Sequence, residues 1–320
     1  MKILIYGAGV IGSIYAAKLF KSKNDVTLLA RGKRYEGLQK KGLIIREKIT
    51  VEKITVRIPL IQHLAADDFY EIIILTVRLD QIESVMAELK SNSRSSLLMF
   101  MLNNPNDLSK LADELKPKYL LFGFPGVGGI MKNDEVDFVQ IKQQKTTIGD
   151  INKVKSSSLE TIKSLFKNSG LKTTISNNID AWLKTHAIFI ACACAAIIKE
   201  NGDSIQLGRN KKSVQAMIES IKEGFKAIKN LGIPVKPFSL KMIFLIMPEW
   251  FSITYWQKSM QREMGTLAIA PHANAAKKEM QLLAIKVLKI VHSSSVATPQ
   301  LDNLLSDFIN FHATENKNPH

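Results

Sequence analysis

The chain has 320 residues, of which 46% are hydrophobic, and a formal net charge of +15. This length and apolar content predict a globular protein of two domains and exclude a disordered chain. The lysines are scattered rather than gathered in one tract, so they predict a solvated basic surface or a cleft for anions, and no nucleic-acid partner.

The chain begins with a short hydrophobic strand, a glycine-rich turn and a helix. The strand covers residues 2–6, the turn is Gly7-Ala8-Gly9-Val10-Ile11-Gly12, and the helix runs over 10–20. A second strand follows at 25–30. A G-x-G-x-x-G turn between a strand and a helix is typical of a dinucleotide-binding domain, whereas the turn alone would be weak evidence.

Each glycine of this turn has a separate predicted task. Gly7 permits the tight turn, Gly9 lets the backbone approach a pyrophosphate, and Gly12 lets the helix pack closely on the strand. Val10 and Ile11 complete a cofactor-binding loop in which the N-terminus of the helix faces the phosphates. The alternative is a glycine turn in an unrelated α/β domain.

Arg31 follows the second strand, where an NAD-binding domain usually has Asp or Glu to bind the ribose 2′-hydroxyl. A guanidinium can instead bind a 2′-phosphate through two hydrogen bonds. The sequence therefore predicts NADP as the cofactor. The alternative is that Arg31, with Lys33 and Arg34, belongs to a solvated basic loop that contacts nothing.

Strands and helices alternate through the rest of the first half, which predicts a doubly wound parallel sheet of Rossmann type. The continuous apolar run at 72–76 is typical of a strand buried on both faces. Strands are predicted at 72–76, 97–102 and 119–122, helices at 80–90 and 107–115, a Pro/Gly loop at 125–129, and a closing hairpin from 138–142 and 146–148.

The second half is predicted to be all-helical, with helices at 181–198, 213–231, 273–291 and 302–311 and an aromatic-rich segment at 238–260. We divide the chain into an NADP-binding Rossmann domain at 1–175 and a helical substrate or catalytic domain at 176–320. Cys192 and Cys194 lie two residues apart in an apolar run. That spacing does not suit a disulfide and predicts a cytoplasmic protein. The longest apolar run, 187–198, is shorter than the roughly 20 residues of a membrane span, so no membrane partner is predicted.

Polar residues that follow predicted strands are candidates for ligand contacts, because ligands bind at the carboxyl ends of strands in such sheets. Arg78 and Gln81 follow one strand and could bind the adenosine or phosphate side of a cofactor. Asn103 follows the next and could contact the nicotinamide ribose or the substrate. All three could instead be ordinary turn residues.

Two charged residues stand out in the helical half. Lys184 lies early in a long apolar helix, and it is either a solvated end residue or an amine that protonates a substrate. Glu279 lies among small and apolar residues and is either an edge carboxylate or a functional acid. His186 and His272 are isolated, so no metal site is predicted.

With these residues in view, the chain resembles the ketopantoate reductase family over nearly its whole length. The loop Gly7–Gly12 matches the start of the family, and Arg31 falls where the family binds the 2′-phosphate of NADP. The segment T-V-R-x-x-Q at 76–81 resembles the T-x-K-x-x-Q of the family. Further matches are Asn103 to an N-G asparagine, Lys184 to the lysine of W-x-K, Asn201 to a later N-G, Ser259 to S-M, and Glu279 to the glutamate of E-I-D.

The resemblance implies an NADPH-dependent reductase of a small 2-oxo acid or related carbonyl compound. It implies that Lys184 is the general acid, that Glu279 is a second catalytic-site residue, and that Ser259, Asn103 and Asn201 contact the substrate. The alternative is an NADP-binding protein without efficient catalysis, such as a redox-responsive regulator. The oligomeric state stays open, with a homodimer as one alternative.

The substrate half departs from the family in two respects. Ile188 and Cys192 stand where the family has asparagines on the helix face of its lysine, which predicts a more apolar substrate pocket. The spacing from Ser259 to Glu279 is about two helical turns longer than in the family.

Overall fold

The computed structural model describes residues 1–141, 144–152 and 156–315, with only the backbone of 311–315. The chain forms two compact units. The first comprises Met1–Leu102 and Asp107–Ile179, and the second Asn103–Asn106 and Asp180–His320. The two units divide after Ile179, and the boundary predicted from the change to a helical pattern lies between 175 and 176.

The first unit contains two sheets and their covering helices. Its strands are β1 (Lys2–Tyr6), β2 (Asp25–Leu29), β3 (Leu43–Glu47), β4 (Lys53–Val56), β5 (Leu60–Ile61), β6 (Ile72–Leu75), β7 (Leu97–Met101), β8 (Tyr119–Phe124), β9 (Val127–Lys132), β10 (Glu135–Gln140), β11 (Thr146–Gly149) and β12 (Thr173–Ile175). Its helices are α1 (Val10–Lys21), α2 (Gly32–Lys41), α3 (Ile82–Ser91), α4 (Leu108–Glu114) and α5 (Ser157–Asn168).

The main sheet has eight strands in the order β12-β11-β8-β7-β6-β1-β2-β5. Its central strands are parallel, and β11 runs antiparallel to β8. Every residue of β6 is buried, as its apolar sequence predicts for a strand covered on both faces. The predicted Rossmann-type sheet is confirmed.

A smaller sheet in the order β4-β3-β10-β9 adds to this frame, and α1 packs against strands of both sheets. The predicted hairpin from 138–142 and 146–148 is wrong, because β10 pairs with β9 in the small sheet while β11 pairs with β8 in the main one. Lys142 lies outside the described residues. Much of the predicted loop at 125–129 belongs to β9. Helix α2 and strands β3 to β5 had no counterpart among the predicted elements.

The described secondary structure of the second unit is entirely helical, as predicted. Its helices are α6 (Ile179–Lys199), α7 (Ser204–Arg209), α8 (Lys211–Asn230), α9 (Phe238–Lys241), α10 (Glu249–Met260), α11 (Ala270–Ala275), α12 (Lys277–Val291) and α13 (Pro299–Glu315), with π-helical segments at Met242–Ile246 and Met264–Ile269.

Helix α6 forms the core of this unit. Trp182, Phe189 and Phe244 belong to an aromatic cluster in which Phe189 lies 5.1 Å, between ring centroids, from Trp256. By length and composition, α6 is the one described helix that could cross a membrane, but 94% of its most apolar window is buried inside the protein. Such burial is what the central helix of a packed unit shows.

Candidate functional site

The glycine loop between β1 and α1 has the geometry of a phosphate-binding turn. Gly7 has a φ of +115°, a conformation that glycine adopts at little cost, and its N–H donates to the Leu29 carbonyl at 3.2 Å. Gly9 caps α1 without a side-chain hydrogen bond, and the first turn of α1 contains no acidic residue. The first amides of this helix are therefore available to an anion.

Gly9 and Gly12 differ in the space around them. A Cβ built on Gly9 meets no described atom within 4 Å, so this side of the loop is open to a ligand. A Cβ on Gly12 would lie 1.8 Å from the Gly7 carbonyl oxygen. Gly9 thus leaves room for a ligand, and Gly12 permits close packing of the chain on itself.

Thr76, directly after β6, holds the loop in place. Its hydroxyl donates to the Gly7 carbonyl at 2.9 Å, and its backbone N–H donates to the Tyr6 carbonyl at the same distance. The sequence prediction did not assign Thr76 a role, although the residue opens the T-V-R-x-x-Q segment.

Arg31, the N-cap residue of α2, lies in a polar cluster. Its Nη2 donates to the Tyr6 hydroxyl at 2.7 Å and to Glu88 Oε1 at 2.5 Å, and its Nε donates to the Gln62 carbonyl at 3.1 Å. Arg31 is therefore not a freely solvated side chain, while its contact with a 2′-phosphate stays a prediction. Burial and the Glu88 carboxylate both raise the pKa of the Tyr6 phenol, so that Tyr6 acts as a hydrogen-bond donor.

The two basic residues beside Arg31 have different surroundings. Arg34 donates to the Ala8 carbonyl at 3.1 Å, to Ser13 Oγ at 3.0 Å and to the Asp134 carbonyl at 2.8 Å. Its guanidinium therefore braces the glycine loop against the small sheet. Lys33 is exposed on the first turn of α2.

Arg78 and Gln81 lie at the start of the helical segment that follows β6. Arg78 is exposed and forms an ion pair with Asp80 at 3.7 Å. Gln81 Oε1 accepts the backbone N–H of Arg78 at 3.2 Å. This contact caps the segment, which gives Gln81 a structural task; its contact with a cofactor stays a prediction.

Asn103 follows β7 and groups with the helical unit. Its side chain is 6% exposed, and within the described residues neither Nδ2 nor Oδ1 has a hydrogen-bond partner. Asn104 Nδ2 is likewise buried without a described partner, whereas its Oδ1 accepts the N–H of Asn106 at 3.1 Å. A buried amide without a partner costs about 1 to 3 kcal/mol, so it marks a place where a ligand could complete the hydrogen bonds.

Lys184 lies one turn from the start of α6. Its side chain is 14% exposed, and its Nζ donates to Asp180 Oδ1, one turn earlier on the same helix. Lys184 is therefore not a fully solvated end residue. The Asp180 carboxylate fixes the direction of the Lys184 ammonium at this end of the helix.

Glu279 lies in the first turn of α12 and is 5% exposed. Its charge helps to raise the pKa of the Cys194 thiol on α6, although burial is the larger cause. The carboxylate is thus close to α6. The predicted helix at 273–291 is interrupted at Ala276, so Glu279 lies at a helix start rather than in mid-helix.

Ile188 and Cys192 do not have the surroundings that the resemblance suggests. A Cβ on Gly224 of α8 would lie 2.6 Å from Ile188 Cγ2, so Ile188 packs against α8. Cys192 is fully buried. Burial raises the pKa of its thiol, and the charge of Glu223 on α8 adds to this rise. The prediction that these two side chains make a substrate pocket more apolar is therefore not supported by their packing.

Ser259 and Asn201 lie near helix ends. Ser259 is a partly buried residue in the last turn of α10. Asn201 is exposed and has a φ of +56°, two residues after the end of α6, where the N–H of Gly202 donates to the Ile197 carbonyl at 2.9 Å. This pair ends the helix, and a substrate contact of Asn201 stays a prediction.

The amino-acid sequence of this chain is similar to those of known proteins. The family model described as "Ketopantoate reductase PanE/ApbA" matches residues 3–153. The 2-dehydropantoate 2-reductase of Pyrococcus horikoshii is 30% identical over 240 residues, which cover 73% of this chain and 75% of the relative.

Solved structures share the fold over the full chain. The 2-dehydropantoate 2-reductase from Methylococcus capsulatus has a TM-score of 0.76 at 16% identity, with 100% of this chain and 99% of that chain covered. D-Mandelate dehydrogenase, solved with NADH and anilino(oxo)acetate, has a TM-score of 0.78 at 17% identity, with 99% of both chains covered. At these identities the likeness establishes the fold alone.

Proposed function

Since this chain belongs to the ketopantoate reductase family of oxidoreductases, we propose that it reduces a small 2-oxo acid or related carbonyl compound with NADPH. The observation that carries the proposal is the glycine loop. Gly9 is open to a ligand at the uncapped start of α1, and Gly12 has no room for a side chain. These residues fit a dinucleotide pyrophosphate. The cysteine pattern places the proposed reaction in the cytoplasm.

The proposed chemistry divides between cofactor and protein. When bound, the nicotinamide cofactor supplies the hydride that adds to the carbonyl carbon of the substrate. Lys184 donates a proton to the carbonyl oxygen as negative charge develops there. Asp180 holds the Lys184 ammonium through their hydrogen bond. It is therefore a positioning residue.

Substrate recognition is assigned to polar groups of the second unit. Asn103 has two buried amide atoms that can accept and donate hydrogen bonds to a bound ligand. Ser259, Asn201 and Glu279 are the further substrate-side candidates, and Glu279 would have to bind a donor group because its carboxylate accepts hydrogen bonds. Arg31 is the candidate for the 2′-phosphate.

The test is turnover of a panel of 2-oxo acids, ketopantoate included, by wild type and Lys184→Ala, followed by cofactor absorbance. We expect Lys184→Ala to lower kcat by about 100-fold or more while cofactor affinity is unchanged, because a general acid contributes on that scale. Lys199→Ala is the matched control, since this exposed lysine on the same helix pairs with Asp307 at 3.2 Å and should leave kcat unchanged. If NADPH binds but no carbonyl is turned over, a non-catalytic NADP-binding role replaces this proposal.

A further inference from the structure

A partly buried cluster of three side chains joins three elements of the first unit beside the glycine loop. Tyr6 is the last residue of β1, Arg31 follows β2, and Glu88 lies on α3. The Glu88 carboxylate accepts hydrogen bonds from the Tyr6 hydroxyl at 2.6 Å, from Arg31 Nη2 at 2.5 Å and from the Leu64 N–H at 3.3 Å. Both carboxylate oxygens are therefore engaged.

The guanidinium of Arg31 makes its hydrogen bonds through the edge formed by Nε and Nη2. Nε donates to the Gln62 carbonyl, and Nη2 donates to both Tyr6 and Glu88. An arginine has five N–H donors, of which only the two on Nη1 are not used by these contacts. A bidentate contact between the guanidinium and a phosphate would require Nε or Nη2. The phosphate would therefore compete with the hydrogen bonds that these nitrogens already make.

Charge adds to this competition. A 2′-phosphate brought to Arg31 would carry up to two negative charges close to the Glu88 carboxylate, whose side chain is only 28% exposed. Like charges at such a distance repel, and partial burial reduces the screening by water. A ribose 2′-hydroxyl carries no charge and would not meet this repulsion.

We propose that Glu88 is a specificity-determining residue that weakens the preference of this site for 2′-phosphorylated nucleotides. The inference rests on the proposed function, because it requires the adenosine half of a dinucleotide to bind beside Arg31. Glu88 occupies an Nη2 donor of Arg31 and opposes the charge of a 2′-phosphate. The wild-type protein therefore accepts NADH as well as NADPH, with a smaller NADPH preference than Arg31 alone would produce.

A purely structural role for Glu88 leads to the opposite expectation. If Glu88 only holds Arg31 in the orientation that binds a 2′-phosphate, removing its charge should weaken phosphate binding. The sign of the change therefore separates the two roles. Glu88→Gln keeps the size and one acceptor oxygen while it removes the negative charge.

The experiment measures the dissociation constants of adenosine 2′,5′-bisphosphate and 5′-AMP by calorimetry, for wild type and Glu88→Gln. We expect the affinity for the bisphosphate to rise about tenfold and that for 5′-AMP to stay unchanged, as the loss of a like charge predicts. Glu83→Gln is the control, because Glu83 is exposed on the same helix α3. Thermal unfolding checks each variant, and Glu88→Ala serves as a second variant if the first is destabilised.

An unchanged or reduced bisphosphate affinity in the folded Glu88 variants would overturn the inference while leaving the proposed function intact. Arg31→Ala separates the two further, since it should abolish the difference between the probes if Arg31 reads the 2′-phosphate. If wild type binds neither probe and neither NADPH nor NADH, the proposed function itself fails, and the role of Glu88 fails with it.

Discussion

Gly9 and Gly12 stand one helical turn apart, yet a methyl group has opposite consequences at the two positions. At Gly12 it would meet the backbone of Gly7, and at Gly9 it would point into open space. The same residue type therefore serves the fold at one position and leaves room for a ligand at the other. A pair of alanine variants can separate these two tasks.

We predict that Gly12→Ala lowers the free energy of unfolding by about 1 to 3 kcal/mol, because the clash is with backbone that cannot rotate away. Gly9→Ala should change it by less than about 0.5 kcal/mol, as is usual away from packed positions. Gly9→Ala should instead weaken NADPH binding by about tenfold or more, since its methyl group lies where a pyrophosphate would approach. Denaturant unfolding and calorimetry measure the two effects. A Gly9→Ala variant that binds NADPH as tightly as wild type would contradict the proposed loop contact.

At the scale of the element, α6 and α8 approach each other closely at one glycine. Gly224 of α8 leaves room for Ile188 of α6, and Leu301 of α13 packs on the same spot, with Cδ1 at 2.8 Å from a Cβ built on Gly224. Three helices thus meet where one of them has no side chain. Ile188 is therefore part of the packing between α6 and α8.

We predict that Gly224→Ala lowers the free energy of unfolding by about 1 to 3 kcal/mol, despite the better helix propensity of alanine, because the added methyl group overpacks this contact. The cost should be smaller in an Ile188→Ala background, where the opposing side chain has been shortened. A double-mutant cycle by denaturant unfolding measures this coupling. Equal costs in both backgrounds would show that Ile188 does not oppose Gly224.

The long spacing between Ser259 and Glu279 is filled by two short helical elements. The π-helical segment Met264–Ile269 and the short helix α11 lie between them, and Pro271 is in the first turn of α11. A Cβ on Gly265 would lie 2.1 Å from the Met260 carbonyl oxygen, so the chain folds tightly back on itself there. The path from Ser259 to Glu279 is therefore not one continuous α-helix.

At the scale of the whole molecule, the apolar core of the helical unit sets its response to acid. His186 of α6 is 3% exposed and stacks on Trp182, with ring centroids 5.0 Å apart. Burial lowers the pKa of His186 from 6.5 to about 3, and the neighbouring His272 adds to this shift. The folded protein therefore keeps this imidazole neutral at a pH where the unfolded chain binds a proton.

We predict that the free energy of unfolding falls as the pH drops from 6.5 towards 3, by up to about 1.4 kcal/mol per pH unit from this residue. The sign follows because the unfolded state binds more protons throughout this window. His186→Phe keeps an aromatic ring on Trp182 and should flatten the acid limb of the profile. His292→Gln is the control, since His292 is 54% exposed and pairs with Asp302. Equal acid limbs for wild type and His186→Phe would contradict the prediction.

The sequence alone determined the parts of this protein that depend on local pattern. The run at 72–76 identified a buried strand, and the glycine spacing identified the loop before α1. These signals are strong because strand burial and a glycine turn each depend on neighbouring residues. The same signals, with the resemblance they support, were sufficient for the family and for the division into a Rossmann-type and a helical half.

The tertiary structure alone decided which distant residues meet. Glu88 shows no pattern that marks it, yet folding brings it to Arg31 across 57 positions. Strand β10 was separated from β11 by pairing in a second sheet, and Ile188 was turned towards Gly224 by the packing of α8. Hydrogen bonds, strand pairing and side-chain packing of this kind depend on three-dimensional proximity. Local periodicity therefore identifies the elements, while partners far apart in the chain determine what each exposed or buried side chain can do.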